Sequence, residues 1–300
     1  MARRDKTIVN GKDIPISDIL FVTDLDGTLL GEDSRVSPHS VLMLNKAIAR
    51  GANFTVATAR TPATVSTLMA DVDMHIPMVV MTGSALWDAK SGRYLDARFH
   101  REEDVRELLS IYRAYSLPTF IYTMNDNKIH IYHIGELSDA EREFIAERSY
   151  TPYKEFNIPA DGESELPSQL DNVMLLFAIQ PTEMASKAYS EISKVGNINS
   201  VFYPDLFHPE LAFIEAFPEE ATKAKAIQRL CRLTGKNYVV AFGDNVNDIP
   251  MFEIADEGIA VANAVEQLRE VAGRIIGPNT DDSVAGEILR RVESPAGIRP

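Results

Sequence analysis

Asp24 and Asp26 stand one residue apart in the string Phe21-Val22-Thr23-Asp24-Leu25-Asp26-Gly27-Thr28, where the apolar run from Ile19 gives way to a glycine turn. In an extended chain residues two apart point the same way, so both carboxylates can face one site. Two such groups do not both ionise comfortably unless a cation lies between them or one keeps its proton. Either solution equips a site for nucleophilic or acid-base chemistry. A calcium loop also begins D-x-D, but one starting at Asp24 needs a bidentate glutamate where Arg35 stands. Taken alone, such a pair after a strand is more often a solvated turn than a catalytic pair, and other segments must decide.

Two further apolar runs end in chemically useful residues. Tyr238 to Phe242 leads into Gly243-Asp244-Asn245-Val246-Asn247-Asp248 and then a helical stretch from Ile249 to Ala255. Asn53 to Ala57 ends in Thr58-Ala59-Arg60, followed by Thr61-Pro62, an N-cap residue with proline at the first helical position. In an open parallel sheet the carboxyl ends of the strands share one edge, and ligands bind there. Asp24, Asp26, Thr58, Asp244, Asn247 and Asp248 can then meet. Lys223 opens a helix running towards Gly235 and offers a positive charge; Lys225 competes for that role. Thr58 as a mere strand end and Lys223 as a solvated lysine are the bland alternatives.

With D-x-D-G-T at Asp24 to Thr28, a strand-end Thr58, Lys223, and G-D-x-x-N-D at Gly243 to Asp248, the chain resembles the haloacid dehalogenase superfamily of phosphohydrolases, in its Cof-type branch with a large α/β cap. Gly258 to Ala264 resembles the stretch that follows the fourth motif, so the likeness runs from about residue 19 to near the end. Lys223 is followed by Ala224 where the branch usually has glycine, Ala59 stands where glycine is common, and residues 1 to 17 are an extra leader. The resemblance implies Asp24 as nucleophile forming an aspartyl-phosphate and Asp26 as general acid and base. It implies Mg²⁺ on the Asp24 and Asp244 carboxylates and the Asp26 carbonyl, with Thr58, Lys223 and Asn247 donating to phosphoryl oxygens. Asp248 reads as a group orienting Lys223 from behind. Arg60 either contacts substrate or forms a local ion pair, and Thr82-Gly83, after a third core strand at Met78 to Met81, is a candidate backbone contact.

The implied fold is α/β, a doubly wound parallel-sheet core of Rossmann-like type with an inserted α/β cap. More than 160 residues separate Thr58 from Lys223, too many for one crossover. The core is assigned to 1–85 and 211–300, and the cap, which would select the substrate, to 86–210. Within the cap, helices are expected over Arg101 to Tyr115, Ser138 to Ser149 and Thr182 to Val195. Strands are expected at Pro118 to Met124, Lys128 to His133, Val173 to Ile179 and Ser200 to Tyr203, the first two joined by Asn125-Asp126-Asn127. Residues 157–170 read as a surface loop and 294–300 as a frayed tail. Tyr94, His130, Tyr132, Tyr203, Phe207 and His208 are candidates for substrate contact, each with a packing role as the alternative.

A net charge of −14 argues against nucleic acid or an anionic membrane as partner. One cysteine, Cys231, excludes an internal disulfide framework and reads as core packing on a helix. The amino-terminal residues lack the apolar stretch of a signal peptide, no apolar run spans a bilayer, and a cytoplasmic protein is expected. Asn53-Phe54-Thr55 matches a glycosylation acceptor but lies in a buried strand and is discarded. The P-loop pattern is absent. The reading is therefore a Mg²⁺-dependent phosphatase for a small phosphorylated metabolite, a sugar phosphate or phosphorylated cofactor. A phosphotransferase or mutase using the same intermediate, and a non-catalytic binding protein, remain as alternatives.

Overall fold

The segments richest in β-branched and aromatic residues become strands, and the polar stretches between them turn or coil into helices. The computed structural model describes residues 6–9, 12–148, 153–168, 170–205 and 208–293. The first segments are an antiparallel pair, β1 (Lys6–Val9) and β2 (Lys12–Pro15), followed by β3 (Ile19–Thr23), α1 (Pro38–Ala49), β4 (Asn53–Val56) and α2 (Pro62–Leu68). Every residue of β3 and β4 is buried, as expected of strands covered on both faces. Ser37 caps α1 by accepting from the Ser40 amide, with Pro38 in the first turn. Thr61 occupies the α2 N-cap position without a side-chain bond to it.

β5 (Met78–Val80), β6 (Ala85–Asp88) and β7 (Arg93–Ala97) form a separate three-stranded sheet. The run expected as a third core strand thus pairs with β6, and meets the end of β4 through an isolated parallel bridge between Ala57 and Val79.

The next elements are α3 (Glu102–Ala114), β8 (Thr119–Asn125), β9 (Lys128–Ile134), α4 (Asp139–Arg148), β10 (Lys154–Phe156), β11 (Val173–Pro181), α5 (Thr182–Ile192), β12 (Ile198–Pro204) and β13 (Leu211–Pro218). Their six strands make one sheet in the order β10-β9-β8-β11-β13-β12, all antiparallel except β10 beside β9. Alternation sorts its side chains. Ile121, Leu176, Ala178 and Ile214 join Leu108, Tyr112 and Ala188 of α3 and α5 in one core, while Phe120 and Phe177 pack against Phe144 of α4. Asp126 and Asn127 both have positive φ, as a two-residue hairpin requires.

The chain ends with α6 (Lys223–Thr234), β14 (Tyr238–Gly243), α7 (Ile249–Ile254), β15 (Glu257–Ala260), α8 (Glu266–Val271), β16 (Arg274–Ile275) and α9 (Ser283–Glu293). The parallel sheet is β16-β15-β14-β3-β4, with β3 and β14, the two strands that lead into acidic turns, side by side at its centre.

Two units result, Met1–Leu95 with Lys223–Pro300, and Asp96–Thr222. The boundaries expected at 85/86 and 210/211 are displaced for identifiable reasons. The β5-β6-β7 meander carries the fully buried Trp87 and keeps residues 86–95 with the first unit. β13, in turn, is paired on both edges by β11 and β12 and belongs to the second. Residues 157–168 form an irregular but pinned loop: Gly162 gives its carbonyl to His133 Nδ1 at 2.8 Å, and Ser164 Oγ accepts from the His133 amide at 3.0 Å. Cys231 is half-buried on α6, whose buried face is built from Ala226, Ile227 and Leu230, so it is not core. Phe207 and residues 294–300 lie outside the described residues. Among the described residues no helix is long and apolar enough to cross a membrane.

Candidate active site

Asp24 is the first residue past β3, and its amide donates to the Phe242 carbonyl of β14 at 3.0 Å. That bond ties the two acidic turns together. Asp24 and Asp248 are buried, and Lys223, itself 4 % exposed, donates from Nζ to Oδ1 of each at 2.7 Å. The other Asp248 oxygen accepts the Asp244 and Asn245 amides at 3.1 and 3.3 Å, so both of its oxygens are committed within the protein. Asp244 Oδ1 accepts the Thr28 hydroxyl at 2.8 Å.

Glycine is required at two approaches. Gly27 has φ +74°, and a Cβ there would collide with the Asp244 carboxylate. A Cβ on Gly243 would stand 2.7 Å from Asp248 Oδ2.

The electrostatics are those of an under-neutralised site. Burial pushes the Asp24 carboxyl up to about 7 against the pull of Lys223, and Asp248 adds to the rise. Burial likewise raises Asp244, partly offset by the Thr28 hydrogen bond. Burial alone would lower the Lys223 ammonium, but Asp24 and Asp248 more than reverse this and hold it protonated. Asp24, Asp244 and Asp248 each offer an oxygen within 4.8 Å of the others. Three carboxylates against one ammonium leave net negative charge for a cation to offset, and an all-oxygen donor set suits a hard divalent ion. With Asp248 already occupied, Asp24 and Asp244 are the carboxylates that fit this role, each keeping an Oδ2 outside the Lys223 and Thr28 contacts.

The remaining expected residues fall in distinct places. Thr58 is buried; its amide donates to Val79 at 3.0 Å, its carbonyl accepts the Thr82 amide at 3.0 Å, and its Oγ1 accepts the Arg60 amide at 3.1 Å. Thr82 and Gly83 are thereby brought beside Thr58, in a turn where Met81, Thr82 and Gly83 all have positive φ. The buried Arg229 of α6 donates to the Gly83 carbonyl at 2.8 Å and pins that turn. Arg60 takes the local option: Nε and Nη2 grip the two Asp26 oxygens at 2.8 and 2.5 Å, and this hydrogen bond, then the Asp26 charge, raise its pKa against partial burial. Asn247 is exposed in the turn between Asp244 and Asp248.

Asn263 was not singled out from sequence. Its Nδ2 donates to the Gly27 carbonyl at 2.7 Å and its Oδ1 accepts the Asn279 amide, while Asn279 donates to the Leu30 carbonyl. The two asparagines clamp the loop that carries Asp26 and Thr28. The likeness of Gly258 to Ala264 to the branch marked the segment but not this contact. Of the other candidates, Tyr94 packs edge-on against Trp87 in the first unit, and Tyr132 packs on the helix-covered core of the second. Tyr203 donates to Glu215 at 3.0 Å, His130 contacts Asn157 at 3.3 Å, and His208 is exposed near Glu210.

A family model described as haloacid dehalogenase-like hydrolase matches residues 21–288. A 5-amino-6-(5-phospho-D-ribitylamino)uracil phosphatase of Bacillus subtilis, YitU, is 23 % identical over 271 residues, covering 89 % of this chain and 94 % of its own. The pyridoxal phosphate phosphatase YbhA of Escherichia coli is 24 % identical over 291 residues, covering 89 % and 96 %. The crystal structure of a haloacid dehalogenase-like hydrolase from Bacteroides thetaiotaomicron superposes with a TM-score of 0.70 at 23 % identity, covering 90 % of this chain and 98 % of that one. At that identity the likeness is one of fold, and it extends across both units.

Proposed function

Since the chain belongs to the haloacid dehalogenase-like hydrolases, we propose that it is a Mg²⁺-dependent phosphatase hydrolysing the phosphate monoester of a small metabolite, a sugar phosphate or phosphorylated cofactor, through an aspartyl-phosphate on Asp24. The observation that carries this reading is the buried Lys223 bridging Asp24 and Asp248 beside Asp244. The substrate class is supported by the two relatives, one named for a phosphorylated ribityl compound and one for pyridoxal phosphate.

Asp24 attacks phosphorus as the bond to the leaving oxygen breaks, and Asp26 gives that oxygen its proton. Asp26 then takes a proton from the water that attacks the phosphoryl-aspartate, and Asp24 returns as carboxylate with inorganic phosphate released. Lys223 spends one N–H on each of two carboxylates and keeps a third for a phosphoryl oxygen. The Thr58 hydroxyl accepts from the Arg60 amide, which leaves its own proton to donate. Asn247, exposed in its turn, supplies a third donor. Asp24, Asp244 and the Asp26 carbonyl would hold Mg²⁺, which would supply positive charge and Lewis acidity towards the phosphoryl group. Arg60, gripping both Asp26 oxygens, fixes the direction in which that side chain points.

The test is phosphate release from sugar phosphates, nucleotides and pyridoxal phosphate, with and without Mg²⁺, using Asp24→Asn as control. Metal-dependent release that the variant loses is the expected result. Release that persists in Asp24→Asn would remove Asp24 as nucleophile, and no release from any ester by the metal-loaded protein would remove the phosphatase reading.

A further inference from the structure

The second unit contains a cavity of about 620 Å³ between α4, the β9-β10 edge and the chain after β10. Lys128, Arg142, Ile145, Lys154, Phe156 and Ile158 are among its walls. Lys154 is only 7 % exposed, and among the described residues its ammonium has no carboxylate partner; it lies 5.4 Å from the centre of the Phe156 ring. Two other buried cations are paired with carboxylates: Lys223 has two aspartates, and Arg291 has Glu257 and Glu287. An uncompensated buried ammonium is costly. Burial and then the nearby Arg148 push the Lys154 ammonium down to about 8. Among the described residues the Arg142 guanidinium donates to the Ala160 carbonyl, at 3.3 Å, and has no carboxylate partner, while Lys128 at the rim is neutralised by Glu155 at 2.6 Å. In a chain of net charge −14 this is a locally positive, largely apolar hollow.

We propose that this cavity binds a small organic anion, its oxyanion head against Lys154 and Arg142 and its apolar body against Ile145, Phe156 and Ile158. A concave apolar site with a few convergent polar groups is the usual form of a small-molecule site, and the missing counter-charge names the ligand's sign. The site is separate from the Asp24 chemistry and stands or falls independently of it.

The test is fluorescence titration of the full chain with 1-anilinonaphthalene-8-sulfonate and its neutral counterpart N-phenyl-1-naphthylamine. The sulfonate is expected to bind saturably at one equivalent, and Lys154→Met to weaken it about tenfold or more, the loss of one charge-assisted contact. Arg142→Gln, on the exposed face of α4, should weaken it less and carries the test if Lys154→Met does not fold. Saturating inorganic phosphate with Mg²⁺ should leave the sulfonate affinity unchanged. Equal affinity in wild type and Lys154→Met, equal binding of the neutral probe, or displacement by phosphate would each overturn the proposal.

Discussion

Replacing Lys223 with methionine keeps most of the side-chain volume and deletes the one buried cation among Asp24, Asp244 and Asp248. Each 2.7 Å contact is worth a gross attraction of about 6 kcal/mol at an effective dielectric of about 20. Relief of the lysine's own desolvation cancels much of that, and stranding buried charge by removing a partner typically costs about 3–5 kcal/mol net. For a unit of this size that corresponds to a fall in Tm of about 6–20 °C in chelator. The pH dependence has a definite sign. Asp24 is raised to about 7 in the fold, so the folded protein holds a proton the unfolded chain has lost, and metal-free stability falls as pH rises from about 4 to about 7. Without Lys223 the carboxyl rises further, and the decline continues to higher pH. The assay is thermal unfolding of both proteins at pH 5, 6, 7 and 8, in EDTA and in excess Mg²⁺. The variant's deficit should widen with pH, and Mg²⁺ should raise its Tm more than that of the wild type. A variant that melts within about 2 °C of wild type throughout would show that this cluster does not store the electrostatic energy assigned to it.

Arg60→Ala removes a pair whose carboxylate is exposed and whose arginine is half-buried, so stability should change by about 1 kcal/mol or less; turnover in the phosphate-release assay should nevertheless fall, because Asp26 loses its orientation. Gly27→Ala combines a left-handed φ with a collision at the Asp244 carboxylate, and should cost about 1–3 kcal/mol in denaturant unfolding. The same variant should need a markedly higher Mg²⁺ concentration for half-maximal activity. Asn263→Ala removes two solvent-exposed hydrogen bonds, to the Gly27 carbonyl and from the Asn279 amide; water can replace both partners, so a stability loss of no more than about 1 kcal/mol is expected, with faster amide exchange over residues 27–30.

Much of the site follows from short-range rules. Strand alternation puts Asp24 and Asp26 two apart past β3, and the glycine turn after β14 brings Asp244 and Asp248 to the same sheet edge. The hairpin at Asp126 and Asn127 and the helix starts at Pro38 and Pro62 rest on local chemistry of the same kind. The choice between Lys223 and Lys225 is different. Residues two apart on a helix point about 200° away from each other, so only one can face the carboxylates, and the packing of α6 selects Lys223, buried, over Lys225, half-buried.

The partners of Arg60, Asp248 and Asn263 also come from tertiary structure, because each reaches groups distant in sequence or competes among several nearby acceptors. Segment boundaries failed where edge pairing outweighed sequence position: β13 lies next to the first unit in sequence yet fills the gap between β11 and β12, and β6 and β7 stay with β5. Residue types and their spacing along strands and turns therefore determined which chemistry this chain can perform. Which lysine meets the carboxylates, which ion pairs form and which strands are neighbours was decided only by packing, since a hydrogen bond or a buried charge is defined by the groups that surround it in space.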